Sequence, residues 1–114
     1  MVTIYHNPRC SKSRETLALL EANGVEPEIV LYLDNPPSKA ALKTLVKKLG
    51  LSSAREMMRT KEDAYKALDL AAETKEAALI DAMAENPVLI ERPIVVNGDR
   101  AAIGRPPETV LEIL

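Results

Sequence analysis

The sequence contains a single cysteine and a single histidine. One cysteine cannot form a disulfide within the chain, and together with one histidine it cannot complete the ligand set of a structural zinc site. We therefore predict no metal site. If Cys10 has a chemical role, it acts as a lone thiol.

A large excess of one charge and long apolar runs are also absent. Fifteen Lys and Arg residues oppose seventeen Asp and Glu residues, for a net charge of −2. The chain thus lacks the basic field that nonspecific nucleic-acid binding requires. The apolar runs, such as residues 29–33, are far shorter than the roughly 20 residues that cross a bilayer. Residues 1–10 show no signal-peptide pattern, so we expect a cytoplasmic protein that binds neither nucleic acid nor membrane.

The chain is long enough for one domain. It has 114 residues, of which 46% are hydrophobic, and a chain of this size buries about 65% of its unfolded surface on folding. We predict a single domain over residues 1–114. Its opening pattern is a strand at Val2–Tyr5, a helix from Ser11 to Asn23-Gly24, and a largely buried strand at Glu28–Leu33. Such a β-α-β unit predicts a parallel pair with a right-handed crossover.

Residues 38–86 carry only helical signals, which is too long a stretch for a simple crossover. Ser38 precedes an apolar stripe, Ser53 and Glu56 match a capping box, and two further helix starts follow near residues 60–63 and 74. We predict three or four short helices inserted between two halves of a sheet.

Strand signals return after Pro87. Residues 94–96 and 100–103 flank Asn97-Gly98, a strong hairpin signal, and Pro106-Pro107 can open a final helix. The whole order predicts an α/β fold with a mixed four-stranded sheet and an all-helical insertion between the second and third strands.

Cys10 lies between the first predicted strand and the first predicted helix, where backbone N–H groups and the helix dipole favour a thiolate. A shift of about two pKa units, worth roughly 2.7 kcal/mol, would ionise most of the thiol. The dipole supplies only about 0.3–1 kcal/mol. Arg9, Lys12, Arg14 and His6 are candidates for the remainder. The alternative is an inert buried cysteine.

Two cysteine-based enzyme classes fail on spacing. The phosphatase loop Cys-x5-Arg would need arginine where Thr16 stands, since Arg14 comes two positions too early, and a thioredoxin-like Cys-x-x-Cys would need cysteine at Ser13. A monothiol can attack a substrate but cannot resolve its own adduct, so a redox cycle needs an outside thiol such as glutathione. We expect either Ser11 or Ser13 to cap the first predicted helix, and Ser13 could also donate to the Cys10 sulfur.

The segment His6-Asn7-Pro8-Arg9-Cys10-Ser11-Lys12-Ser13-Arg14 resembles the active-site segment of the glutaredoxin-dependent arsenate reductase family, and Ser11-Lys12 is typical of its shorter chromosomal homologues. Further matching segments are 57–59, 91–96 and 103–106. The resemblance spans nearly the whole chain. It implies a thioredoxin-like fold with a helical insertion.

The resemblance also implies a reaction and its residues. The Cys10 thiolate attacks arsenate, and glutathione and glutaredoxin resolve the adduct to arsenite, with no bound cofactor and glutathione as co-substrate. Arg59, Arg92 and Arg105 bind the oxyanion, and His6 tunes the thiol. The supporting residues are Asn7, Ser13, Arg14 and Pro93, of which Pro93 matches the position of the cis-proline in thioredoxin-like folds.

Guanidinium groups suit this chemistry because they are permanently charged and bind tetrahedral oxyanions through paired N–H donors. Arg59, Arg92 and Arg105 each lie beside a structural breakpoint, which favours a functional role. We interpret Arg55 and Arg100 as solvated surface charges.

Two other functions are compatible with the sequence. The chain could be a general glutathione-dependent thiol reductase, with the arginines binding glutathione carboxylates. It could also be a non-catalytic relative of the Spx group, which binds RNA polymerase, although Ser13 removes the Cys-x-x-Cys switch of that group.

Overall fold

A computed structural model describes residues 1–114, which form two compact units. The first unit combines Met1–Asn35 with Arg92–Leu114, and the second is Pro36–Glu91. The first unit contains strands β1 (Val2–Tyr5), β2 (Glu28–Val30), β3 (Ile94–Asn97) and β4 (Arg100–Ile103) and helix α1 (Ser11–Ala22), and ends in a 3-10 helix at Pro107–Ile113.

The four strands form one sheet in the order β2-β1-β3-β4. Strand β1 runs parallel to β2, with Ile4 opposite Ile29, and antiparallel to β3, with Ile4 opposite Val95. Strands β3 and β4 form the predicted hairpin, but its two turn residues are Gly98-Asp99, one position later than predicted, because Asn97 pairs with Arg100. The predicted α/β class with a mixed four-stranded sheet is confirmed.

The core of the first unit joins the sheet to α1 and to the last 3-10 helix. Its buried members are Ile4, Leu20, Val95, Ala102, Val110 and Ile113. Burying one large aliphatic side chain of this kind contributes about 1.5–3 kcal/mol. The packing therefore fixes α1, and with it the residue at its N-terminus, against β1 and β3.

The prediction of a largely buried second strand was wrong. Strand β2 is only Glu28–Val30, and Ile29, Leu31 and Leu33 are 47%, 38% and 45% exposed. The reason is that β2 is the edge strand of the sheet, with β1 as its only neighbouring strand, so its side chains have fewer neighbours to bury them. After β2 the chain turns, with the N–H groups of Asp34 and Asn35 both donating to the Leu31 carbonyl.

The second unit is all-helical, as predicted. Its helices are α2 (Lys39–Lys48), α3 (Asp63–Ala67) and α4 (Glu76–Glu85), with 3-10 segments at Ala54–Met57, Leu70–Ala72 and Pro87–Leu89. The predicted starts at Ser38 and at the Ser53/Glu56 capping box are confirmed, since both serine hydroxyls accept backbone N–H groups. No helix in the chain has the length and apolar character to span a membrane.

Arg55 corrects a second prediction, because it is not a solvated charge. Its half-buried guanidinium donates to the carbonyls of Leu70 and Glu73 and to the hydroxyl of Tyr65. Two backbone carbonyls in the segment after α3 are thus paired by a charged donor, which forms a stronger hydrogen bond than a neutral one. Arg55 holds the segment between α3 and α4 together.

Candidate active site

Cys10 is the residue that precedes α1. Its backbone is extended, its N–H donates to the Asn7 carbonyl at 3.0 Å, and its own carbonyl accepts the N–H of Arg14 at 3.0 Å. The residue is 9% exposed. The sulfur thus lies at the open N-terminus of a 12-residue helix, where unpaired N–H groups and the helix dipole favour an anion.

Opposing effects act on the Cys10 thiol. Burial acts to raise its pKa, but hydrogen bonds from the backbone N–H groups of Ser13 and Lys12, and the hydrogen bond and positive charge of Arg92, act to lower it. The donors outweigh burial, so the pKa of Cys10 lies below its ordinary value. A lowered pKa raises the fraction of nucleophilic thiolate near neutral pH.

Two arginines from the far end of the chain meet this sulfur. Nη2 of Arg105 lies 3.6 Å from Sγ of Cys10, and its Nε donates to the carbonyl of Arg92 at 2.8 Å. Arg92 itself hydrogen-bonds the sulfur. Arg92-Pro93 and Arg105-Pro106 are both cis peptides. The structure therefore brings Cys10, Arg92 and Arg105 together.

A close approach at Gly104 supports this arrangement. The Gly104 N–H donates to the Pro93 carbonyl at 2.9 Å. A Cβ at Gly104 would stand 2.5 Å from Oγ1 of Thr16 and 2.8 Å from Cγ of Pro93, so no side chain fits. Gly104 thereby lets the turn that carries Arg105 pack on α1. In the sequence, Gly104-Arg105-Pro106 indicated a turn here, but nothing indicated that Thr16 would contact it.

The loop before Cys10 is held by side chains of its own segment. The Asn7 Oδ1 accepts the N–H of Arg9 at 3.0 Å, and Nη1 of Arg14 donates to the Pro8 carbonyl at 2.9 Å. The predicted serine cap was wrong, since Cys10 is the N-cap residue of α1 and no side chain caps the helix. The buried Ser13 hydroxyl instead accepts the Asn7 N–H at 3.0 Å. Asn7, Ser13 and Arg14 thus fix the backbone that leads to the thiol, while Ser13 reaches the sulfur through its N–H.

His6 is buried beside this loop. Its ring Nδ1 lies 2.6 Å from the Ser13 Oγ. Its backbone N–H donates to the Val30 carbonyl at 2.9 Å. Burial first, and then the positive charge of Arg14, lower the pKa of His6 below its usual range. The imidazole is therefore largely neutral at pH 7, and a neutral ring adds no positive charge near the thiol.

Arg59 belongs to the second unit. Its Nε pairs with Glu62 at 2.9 Å and its Nη1 with Glu91 at 3.4 Å, and the side chain is 24% exposed. The backbone N–H of Arg59 donates to the Leu89 carbonyl at 2.7 Å. Nothing in the sequence indicated these two carboxylates, because residues 59–62 lie between helices and Glu91 is distant in sequence.

The chemistry available is that of an activated thiolate with guanidinium donors. No cluster of three or more His, Cys, Asp or Glu side chains could hold a metal ion. Fold and site together define an α/β protein that presents one nucleophilic sulfur at a helix N-terminus.

The chain belongs to the ArsC family, whose model matches residues 5–113. An arsenate reductase from Haemophilus influenzae is 59% identical over 114 residues, which cover 99% of this chain and 98% of that protein. The Escherichia coli K12 protein named uncharacterized protein YfgD is 65% identical over 114 residues, covering 99% of this chain and 96% of that one.

A solved structure is similar throughout. The arsenate reductase from Vibrio cholerae matches with a TM-score of 0.97 and 58% identity, over 99% of this chain and 97% of that chain. The predicted thioredoxin-like fold of the arsenate reductase family, with its helical insertion, is thereby confirmed.

Proposed function

We propose that this chain is an arsenate reductase in which the Cys10 thiolate attacks arsenate. Support comes from family membership and from relatives that carry this name. The observation that carries the proposal is the contact of the Cys10 sulfur with Arg105 at 3.6 Å, beside an arginine that lowers the thiol pKa. The nucleophilic sulfur and two guanidinium groups that can bind an oxyanion are then adjacent.

Arsenate is a tetrahedral oxyanion, and Arg92 and Arg105 are suited to bind its oxygens while the sulfur attacks arsenic. Each guanidinium is permanently charged and offers paired donors. In this step an arsenic–sulfur bond forms and one oxygen leaves as water. The same two groups that stabilise the thiolate would thus hold the substrate.

Arg59 is the third oxyanion ligand in this proposal. Its ion pairs with Glu62 and Glu91 use Nε and Nη1, so Nη2 remains available to an oxygen of the substrate. The two carboxylates would orient the guanidinium. The family resemblance of residues 57–59 supports this role.

Reduction of arsenate to arsenite takes two electrons, and this chain has one thiol. We propose that glutathione attacks the Cys10 adduct and that glutaredoxin completes the reduction. Arsenate and two outside thiols then give arsenite, a disulfide and water, and Cys10 is regenerated. Because these thiols are kept reduced in the cytoplasm, we propose that the protein acts there.

His6 has a positioning role in this proposal. It acts through Ser13, whose hydroxyl contacts both the His6 ring and the Asn7 N–H and whose backbone N–H reaches the sulfur. The ring would hold the loop that presents the thiol, without contributing charge.

The test is arsenate reduction with glutathione and glutaredoxin, followed through coupled oxidation of NADPH. Cys10→Ser is expected to abolish turnover, and Arg92→Gln or Arg105→Gln to lower it about 100-fold, the usual loss for one oxyanion donor. Arg100→Gln is the matched control, because Arg100 is exposed and donates only to the Glu112 carbonyl. A Cys10→Ser protein with normal turnover would refute the proposal.

The same variants discriminate the general thiol reductase. If arsenate is the substrate, the Arg92 and Arg105 variants should lose about 100-fold in arsenate reduction, but on a small disulfide only the severalfold that a less ionised thiol costs. Equal loss of both activities would favour the thiol reductase.

A further inference from the structure

A groove opens beside the Cys10 loop, on the β2 side of the sheet. It has a volume of about 320 Å³ and is lined by His6, Asn7, Pro8, Arg9, Leu31, Leu33 and Asp34. These residues follow the ends of β1 and β2, which are paired in parallel. Arg92 and Arg105 precede β3 and follow β4, strands on the other side of β1, so the groove is separate from the arginine contacts to the sulfur.

One wall of the groove is apolar and exposed. Leu31 and Leu33 are 38% and 45% exposed, whereas Tyr32 between them is buried. Pro8 is exposed on the opposite lining segment. Exposed apolar side chains that gather in a concave surface are typical of ligand-binding sites. A volume near the lower end of the usual range for ligand pockets fits a small molecule.

The groove also carries one charge of each sign. Arg9 and Asp34 both line it, both are exposed, and neither guanidinium nor carboxylate is engaged in an ion pair. A ligand that carries an ammonium and a carboxylate on the same carbon, as a free amino acid does, is complementary to Arg9 and Asp34. The γ-glutamyl end of glutathione has this form, and the apolar wall would cover the rest of the tripeptide.

We propose that this groove binds glutathione, with Asp34 receiving its ammonium group, Arg9 its α-carboxylate, and Leu31 and Leu33 its methylene groups. The inference rests on the proposed function, which requires an outside thiol. Pro8 and Arg9 line the groove and immediately precede Cys10, so a tripeptide bound here lies against the loop that carries the thiol, and its own sulfur would attack the adduct from this side. Substrate and reductant would reach Cys10 from opposite sides of β1.

The experiment measures thiol–disulfide exchange at Cys10, without arsenate. The Cys10 thiolate attacks glutathione disulfide, a sulfur–sulfur bond forms to one glutathionyl group, and the other leaves as glutathione thiolate. The comparison substrate is bis(2-hydroxyethyl) disulfide, which undergoes the same exchange but has no charged groups. Mass spectrometry follows the mixed disulfide over time.

Leu33→Ser and Asp34→Asn are the test variants. We expect each to slow exchange with glutathione disulfide, about tenfold for the lost apolar contact and roughly threefold for the exposed charge. Exchange with the hydroxyethyl compound should stay at the wild-type rate. Leu68→Ser and Asp99→Asn are matched controls, since both residues are exposed and lie outside the groove, and should leave both rates unchanged.

Two outcomes would refute glutathione binding in the groove: test variants that match wild type with glutathione disulfide, and test variants that slow both disulfides equally. In the first case exchange is also measured with the mixed disulfide of glutathione and glutaredoxin, and slowing of that reaction alone would make the surface a protein docking site. The result is independent of arsenate chemistry. A wild-type protein with the expected selectivity but no arsenate turnover would refute the proposed function and leave the groove in place.

Discussion

Single residues near Cys10 determine how much of its thiol is ionised. Burial opposes ionisation, and the N–H groups of Ser13 and Lys12 together with Arg92 favour it. Local sequence indicated the helix terminus but assigned the positive charge to neighbours such as Arg9 and Arg14. In the structure the charge beside the sulfur comes from Arg92 and Arg105, which are distant in sequence and came into view only through resemblance to a family.

Arg92→Gln should raise the pKa of the Cys10 thiol, because it removes a hydrogen bond and a positive charge that favour the thiolate. Alkylation of Cys10 by iodoacetamide at pH 7 should slow severalfold, and the midpoint of the rate-against-pH curve should move to higher pH. Arg100→Gln should leave the curve in place. An unchanged midpoint for Arg92→Gln would contradict this account of the thiol.

His6 should make folding pH-dependent, because its pKa is lower in the folded protein than in the unfolded chain. The unfolded state then binds a proton first as pH falls below about 6.5, so the free energy of unfolding drops on acidification. Urea titrations at pH 7.5 and 5.5 should show a smaller drop for His6→Gln than for wild type. Equal drops would show that the ring is not held neutral.

At the level of elements, local signals predicted what local contacts determine. Strand β1, helix α1, the existence of the β3–β4 hairpin and the Ser53/Glu56 capping box all follow from neighbouring residues, although the turn lies one position later than predicted. The exposure of β2 could not be predicted, since the order of strands in the sheet decides which strand lies at the edge. Arg55 was misjudged for the same reason, because its carbonyl partners lie in a later segment of the chain.

Gly104 links two elements in a way that a substitution can test. In Gly104→Ala the new methyl group collides with Thr16 and Pro93, and overpacking of this kind costs about 1–3 kcal/mol. Urea denaturation measures the loss. Adding Thr16→Ala removes the nearer collision, so the double variant should lose less free energy than the two single losses combined. Simple additivity would contradict the close approach.

The whole molecule consists of two compact units, and the first is made from both ends of the chain. The predicted single domain over residues 1–114 requires that the two units unfold together. Pro36–Glu91 is tied at both of its ends to the sheet unit. If the chain is one domain, neither unit unfolds without the other.

A single unfolding transition is therefore expected, and the tyrosines can report it. Tyr5 and Tyr32 lie in the first unit and Tyr65 in the second. With 3-fluorotyrosine in place of tyrosine, fluorine NMR during a urea titration should give the same midpoint for all three signals. Separate midpoints for Tyr65 and the other two would mean two independently folding units.

The discontinuity of the first unit has a consequence for biosynthesis. Strand β1 leaves the ribosome long before its antiparallel neighbour β3, which begins at Ile94. During translation the nascent chain can therefore pair β1 only with β2, and Cys10 has neither Arg92 nor Arg105 beside it. The thiol acquires its guanidinium neighbours only after residues 92–105 have been made and folded onto β1, so its heightened reactivity is absent while the helical unit is being synthesised.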